Sequence, residues 1–182
     1  MTVQVGSMPR VSLVVPMANE RAYIQGCIDG LVAQDYPHDR LEILVVDGGS
    51  VDGSRAIVEG AAAGHPGLFR ILDNPRRITP VAFNIGIREA TGELIGIVSG
   101  HSVLAPDYVL RCVEYLDRTG ADHVGGLMTA VGLTPLACAI AESTNSPSQS
   151  AGHGFITTRA SSTSSPCTWV CTGAMCSSEL AC

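Results

Sequence analysis

Aromatic side chains are scarce here, only 4% of 182 residues. The core must therefore rest mainly on Val, Ile, Leu and Ala, within an apolar content of 46%. No uninterrupted apolar run approaches the roughly 18 residues of a membrane-spanning helix. The opening MTVQVGSMPR has neither a charged n-region nor an apolar h-region, so it does not read as a secretory leader. A cytoplasmic location is the expectation. Positive charge is also short, with 11 basic against 17 acidic residues and a net charge of -6. That balance argues against non-specific binding to nucleic acid, and no nucleic-acid partner is expected. GxGxxG, a P-loop lysine and GxSxG are all missing, which removes the common dinucleotide, NTPase and hydrolase signatures.

What is present is a regular alternation. VSLVVP at 11–16 reads as a buried strand, and residues 20–34 carry Ile24, Cys27, Ile28, Leu31 and Val32 at helical spacing. LEILVV at 41–46 is a second strand, and 52–63 a second helix with Asp52 as its expected N-cap. A third strand at 68–72 leads to a helix at 79–90, opened by Pro80 at the tolerated first position. A fourth strand at 94–98 leads to a helix beginning at Pro106, and 122–128 suits a fifth strand. This order predicts an α/β domain with a doubly wound, mostly parallel sheet and helices on both faces. The length suffices for one domain with a real core. Cys27, Cys112 and Cys138 are expected as buried, reduced thiols.

Ligand sites in such sheets lie at the carboxyl ends of the strands. The first two tips are the most informative. Pro16-Met17-Ala18-Asn19-Glu20 ends the first strand, and Asp47-Gly48-Gly49-Ser50-Val51-Asp52-Gly53-Ser54 ends the second. An acid, two glycines and a hydroxyl before a helix suit nucleotide recognition. Asp47 can accept from a base N–H or a ribose hydroxyl, and Gly49 permits close ligand approach. Asp-Gly is equally ordinary turn chemistry, and Asp52 equally a helix cap. A calcium loop is excluded, because the twelfth position from Asp47 is Val58 rather than a bidentate Glu.

The blocks "VSLVVPMANERAYIQGCIDGLVAQDYP", "LEILVVDGGSVDGS", "NPRRITPVAFNIGIREATGELI" and "PDYV" together resemble family 2 glycosyltransferases of the GT-A fold. The DGGS and NPRR variants look most like the succinoglycan-type exopolysaccharide branch. The resemblance covers about residues 10–140 in order and spacing. It implies a nucleotide-diphospho-sugar donor, a glycan or lipid-linked acceptor, and transfer usually with inversion. Carried over residue by residue, it implies donor contacts at Pro16, Asn19, Glu20, Asp47, Gly49, Ser50, Asp52, Asn84 and Ser99. Arg76 and Arg77 are candidates for the diphosphate, or simply solvated cations. The family's Asp-x-Asp has its second acid five residues before a proline, and counting back from Pro106 reaches His101. His101 is then the metal ligand for Mn²⁺ or Mg²⁺, and Ser99 holds the place of the first acid. The resembling branch often has Asp-x-His here, so this chain keeps the imidazole and lacks the carboxylate.

Residues 1–9 read as an N-terminal extension and 10–142 as the nucleotide-sugar-binding domain. Beyond 143 the texture turns to Ser, Thr and Gly with little periodicity. Cys167, Cys171, Cys176 and Cys182 crowd this tail without the paired spacing of a zinc site. Back-translated and read from each codon's third base, 149–158 permits VGGSRFHY and 169–181 permits MGVYRRDVFERVG. Both look like what the resembling branch has after its fifth strand. The expectation is an irregular, frameshift-derived tail, with the family's catalytic base and acceptor region unrecognisable. Membrane association is expected only for an intact relative, at the inner face of the cell membrane.

Overall fold

The computed structural model describes residues 8–126, 130, 132, 134–144 and 156–158. Four parallel strands form its sheet: β1 (Val11–Met17), β2 (Leu41–Asp47), β3 (Phe69–Asp73) and β4 (Leu94–Ile97), in the order β3-β2-β1-β4. The intervening helices are α1 (Ile24–Val32), α2 (Ser54–Gly64) and α3 (Thr79–Glu89), with α4 (Tyr108–Thr119) after β4. The expected doubly wound parallel plan is therefore present.

The two central strands read as continuous apolar runs because both of their faces are covered. Leu13 and Val15 of β1, with Ile43 and Val45 of β2, point to one face and pack with Ile24, Leu31, Val58 and Val109 from α1, α2 and α4. Val14, Leu44 and Val46 point to the other, against Ala82 of α3. That contact is tight. A Cβ on Gly86 would lie 2.2 Å from Val14 Cγ1, so only glycine lets α3 lie this close to the sheet.

Pro16 ends the pairing of β1 with β4. Val14 accepts from the Val98 N–H, so residues 14 and 16 face β4, and Pro16 has no N–H to continue the ladder. The tips of β1 and β4 part at this point. It is also where the strand order reverses direction about β1, the usual place for a ligand in an open α/β sheet.

Several boundaries differ from the sequence reading. α1 starts at Ile24, because Asn19 takes a left-handed φ of 56° and residues 20–23 form a turn. Gly53, not Asp52, is the N-cap of α2. Pro80 is the second helical residue, where its missing N–H is still harmless. α4 begins two residues after Pro106, where buried Gln34 accepts from the Val109 N–H. Cys27 and Cys112 are buried as expected, but Cys138 is only half-buried.

After α4 come β5 (His123–Gly125), α5 (Pro135–Thr144) and β6 (Ile156–Thr158), and β6 pairs antiparallel with β5. Neither α5 nor β6 is expected from the sequence. The clustered cysteines at 167–182 lie outside the described residues. No helix among the described residues is long and apolar enough to cross a membrane.

Candidate functional site

A cleft of about 230 Å³ opens at the carboxyl edge of the sheet, beneath the parted tips of β1 and β4. Of the residues marked in the sequence, Pro16, Glu20, Ser99 and His101 line it. Arg77, also marked, lines it as well, with Asn74 from the turn after β3, Thr79 at the start of α3, and Met17, Ala18, Gly48, Ile78 and Ala82.

The other marked residues build the frame behind the cleft. Asn19 donates its backbone N–H to Ser50 Oγ at 2.9 Å, and its Oδ1 accepts from the Val51 N–H at 2.9 Å. Asp52 accepts from the Arg21 N–H at 2.9 Å through Oδ2, while its Oδ1 takes the N–H and hydroxyl of Ser54. The Ser54 hydroxyl and N–H hold the Asp52 carboxyl down at about 2, against a small burial penalty and with help from Arg21. These bonds tie the β1 loop to the β2 loop across more than thirty residues of sequence.

Asp47 sits beneath this clamp and is 1% exposed. Its Oδ1 accepts from Ser50 N–H at 3.0 Å and Ser50 Oγ–H at 2.7 Å, and its Oδ2 from Arg55 Nη1 at 3.2 Å. About four lone-pair positions exist on a carboxylate, so Asp47 is mostly engaged by its own chain. Arg55 also binds Asp73 and Glu59, and these carboxylates with Asp47 raise its pKa further, keeping it charged. Gly49 has a φ of 78°, and a Cβ there would lie 3.3 Å from Arg77 Nε. Asn84 is exposed on α3 and does not line the cleft.

Arg77 separates from its neighbour Arg76, which does not line the cleft. Arg77 takes a φ of 56°, held by its N–H bond to the Asn74 carbonyl at 3.1 Å. Asn19 and Arg77 are the non-glycine residues with positive φ among those described. Both lie at this site, as is common for strained backbone at functional positions. Sequence reasoning missed Asn74. It is 3% exposed, donates through Nδ2 to the Ile78 carbonyl at 3.0 Å, and has a buried Oδ1 without a partner. Its only signal was its place at the head of the NPRR block.

At the tip of β4, Ser99 Oγ lies 3.1 Å from His101 Nε2. Glu20 Oε1 lies 3.5 Å from His101 Nδ1, with the side chains 25% and 60% exposed respectively. Among the described residues no group of three His, Cys, Asp or Glu side chains could hold a metal ion. The set here is one imidazole, one carboxylate and a neutral hydroxyl. It suits a cation that also takes oxygen ligands from a bound phosphate, the usual arrangement for Mg²⁺ at nucleotide sites. Cys27 donates to the Ser99 carbonyl from behind, and burial first, then Glu20, pushes its thiol up to about 12. It is a packing residue.

The family model for glycosyl transferase family 2 matches residues 12–175. Glycosyltransferase AglE of Haloferax volcanii is 31% identical over 120 residues, which cover 66% of this chain and 40% of that protein. Succinoglycan biosynthesis protein ExoA of Rhizobium meliloti is 34% identical over 136 residues, covering 74% and 41%. Among solved structures, the mannosyltransferase PcManGT of Pyrobaculum calidifontis, in complex with GDP-Man and Mn²⁺, aligns with a TM-score of 0.62. It is 32% identical and covers 68% of this chain and 36% of its own. The chain thus spans about two fifths of the length of these curated relatives.

Proposed function

The chain belongs to glycosyl transferase family 2, and on that premise we propose that its cleft binds the nucleotide-diphospho-sugar donor of a glycosyl transfer. The acceptor would be a glycan or lipid-linked sugar in cell-envelope or exopolysaccharide assembly, with the chain acting in the cytoplasm. The carrying observation is the convergence of Pro16, Glu20, Ser99, His101 and Arg77 on one cleft at the switch point of the sheet. The Asp47 loop stands at the nucleotide end. Arg77 suits the diphosphate, since a planar guanidinium matches phosphate oxygens. His101 would hold Mn²⁺ or Mg²⁺, which would offset charge on the departing nucleoside diphosphate. The structural relative bound to GDP-Man and Mn²⁺ supports both parts of the reading.

Transfer with inversion also needs a base to take the acceptor's proton. Asp107 is bound to Arg111 one helical turn on, and Glu114 lies on α4 away from the cleft. We assign no catalytic base. A donor-binding chain without turnover is the second reading, favoured because Glu20 is the one carboxylate among the described residues lining the cleft and it stands beside His101. Calorimetric titration of residues 1–182 with GDP and UDP, with and without Mn²⁺, followed by a donor-hydrolysis assay, separates the two. Binding without hydrolysis supports the second reading, and hydrolysis the first. A folded chain that binds neither nucleotide would refute both.

We further propose that the segment from about Pro147 is read out of frame, with the tail cysteines a by-product. The shifted strings VGGSRFHY and MGVYRRDVFERVG support this. The family match in the given frame runs to residue 175, so the test must choose between frames. Sequencing the locus should show a family-like reading restored by a single-base change near codon 147. A locus with no family-like shifted frame would end the idea.

A further inference from the structure

Where the family resemblance leads one to expect an acid, the β4 tip carries Ser99, yet an acid stands beside it. Glu20 comes from the loop after β1, lines the same cleft as His101, and faces it at 3.5 Å. A charge-assisted hydrogen bond would be about 2.7–2.9 Å long, so this pair is not closed into a tight ion pair. Two ligands about 2.1 Å from a shared ion sit roughly 3.0–3.5 Å apart. The observed separation matches that spacing. Ser99 Oγ lies within 3.3 Å of both ring nitrogens but brings no charge.

We propose that Glu20 supplies the anionic ligand that Ser99 lacks, so that Glu20 and His101 together hold a divalent cation once a nucleoside diphosphate adds its own oxygens. The proposal rests on the donor-binding reading and deepens it. Two protein ligands are too few to hold a hydrated ion firmly. The cation and the nucleotide should therefore bind as partners, each raising the other's affinity by the same factor.

The test uses the full chain, Mn²⁺ followed by electron paramagnetic resonance, and GDP by calorimetry. Wild type should bind Mn²⁺ weakly alone and at least tenfold more tightly with GDP. The readout is the ratio of GDP affinities with and without Mn²⁺, which a general loss of nucleotide binding does not move. Glu20→Gln should collapse that ratio towards one, as should His101→Ala. Ser99→Asp places a third ligand at the tip and should let Mn²⁺ bind without nucleotide. Adding Glu20→Gln to Ser99→Asp should remove that gain. A ratio unchanged in Glu20→Gln, or Mn²⁺ binding by Ser99→Asp that ignores Glu20, would overturn the assignment. If GDP fails to bind while the Ser99→Asp chain still needs Glu20 for Mn²⁺, the donor reading falls and the ligand assignment stands. Circular dichroism melts check that each variant folds.

Discussion

Asp47→Ala should cost about 3 kcal/mol of folding stability and lower nucleoside-diphosphate affinity more than tenfold. The carboxylate is 1% exposed and accepts three hydrogen bonds, one from the Arg55 guanidinium. Bonds to charged groups contribute about 1.5–3 kcal/mol each. The total stays below the sum of three such bonds because Arg55 is part-exposed and keeps Asp73 and Glu59, and Ser50 can turn to water once the carboxylate is gone. The binding loss follows from the loops. The Ser50 hydroxyl that donates to Asp47 also accepts from the Asn19 N–H, so removing Asp47 frees both loops at the end of the cleft proposed for the nucleotide. Asp47→Asn should be milder, since its amide oxygen still accepts from Ser50 while no charge faces Arg55. Urea unfolding and calorimetry with GDP and UDP check both variants. An Asp47→Ala chain with unchanged midpoint and unchanged affinity would refute the role.

The frame was legible because its signal is local. The β1 and β2 runs are apolar at almost every position, and parallel strands buried on both faces require that. The four blocks of family resemblance sit on this frame, and the family match confirms them. What each site residue touches was not legible, because the partners are far apart in sequence. Asn19 meets Ser50 and Val51, and Arg21 meets Asp52. Nothing in the order of residues says that Asn19, Ser50 and Asp52 spend these polar atoms on the chain's own loops. The same holds for Arg77, whose backbone turns left-handed beside an exposed Arg76. Asn84 is different. Ala82 and Gly86 are buried against the sheet, and a residue midway between them lies about 200° around the helix. Its exposure follows from the period alone once the buried face is known.

Glu42 escaped the sequence reading altogether, and it should dominate the acid stability of the chain. It is a carboxylate inside β2 with 3% exposure. Burial alone would raise its pKa. Hydrogen bonds from the Ser12 hydroxyl at 2.6 Å, the Thr91 N–H, Arg70 Nη1 and the Thr91 hydroxyl outweigh burial and bring it to about 2. Ser12 in turn accepts from the Gly92 N–H, so one carboxylate joins the starts of β1, β2 and β4 to Arg70 of β3. The folded-state pKa lies below the unfolded value. The ionised form therefore stabilises the fold fully above about pH 4.5, and that contribution is lost as pH falls through about 2. The shift corresponds to about 3 kcal/mol. Other acids titrate in the same range, so the informative quantity is the difference between wild type and Glu42→Gln. At pH 7 the variant should be less stable by about 3 kcal/mol, because its amide places donors against the donors of Ser12, Thr91 and Arg70. Towards pH 2 the unfolded chain carries this carboxyl protonated while the folded one is only partly so, most of the contribution is gone, and the gap should shrink to about 1 kcal/mol. Urea midpoints of both chains at pH 7, 4 and 2.5 measure it. A gap that stays constant across those pH values would show that the charge of Glu42 does not stabilise the fold.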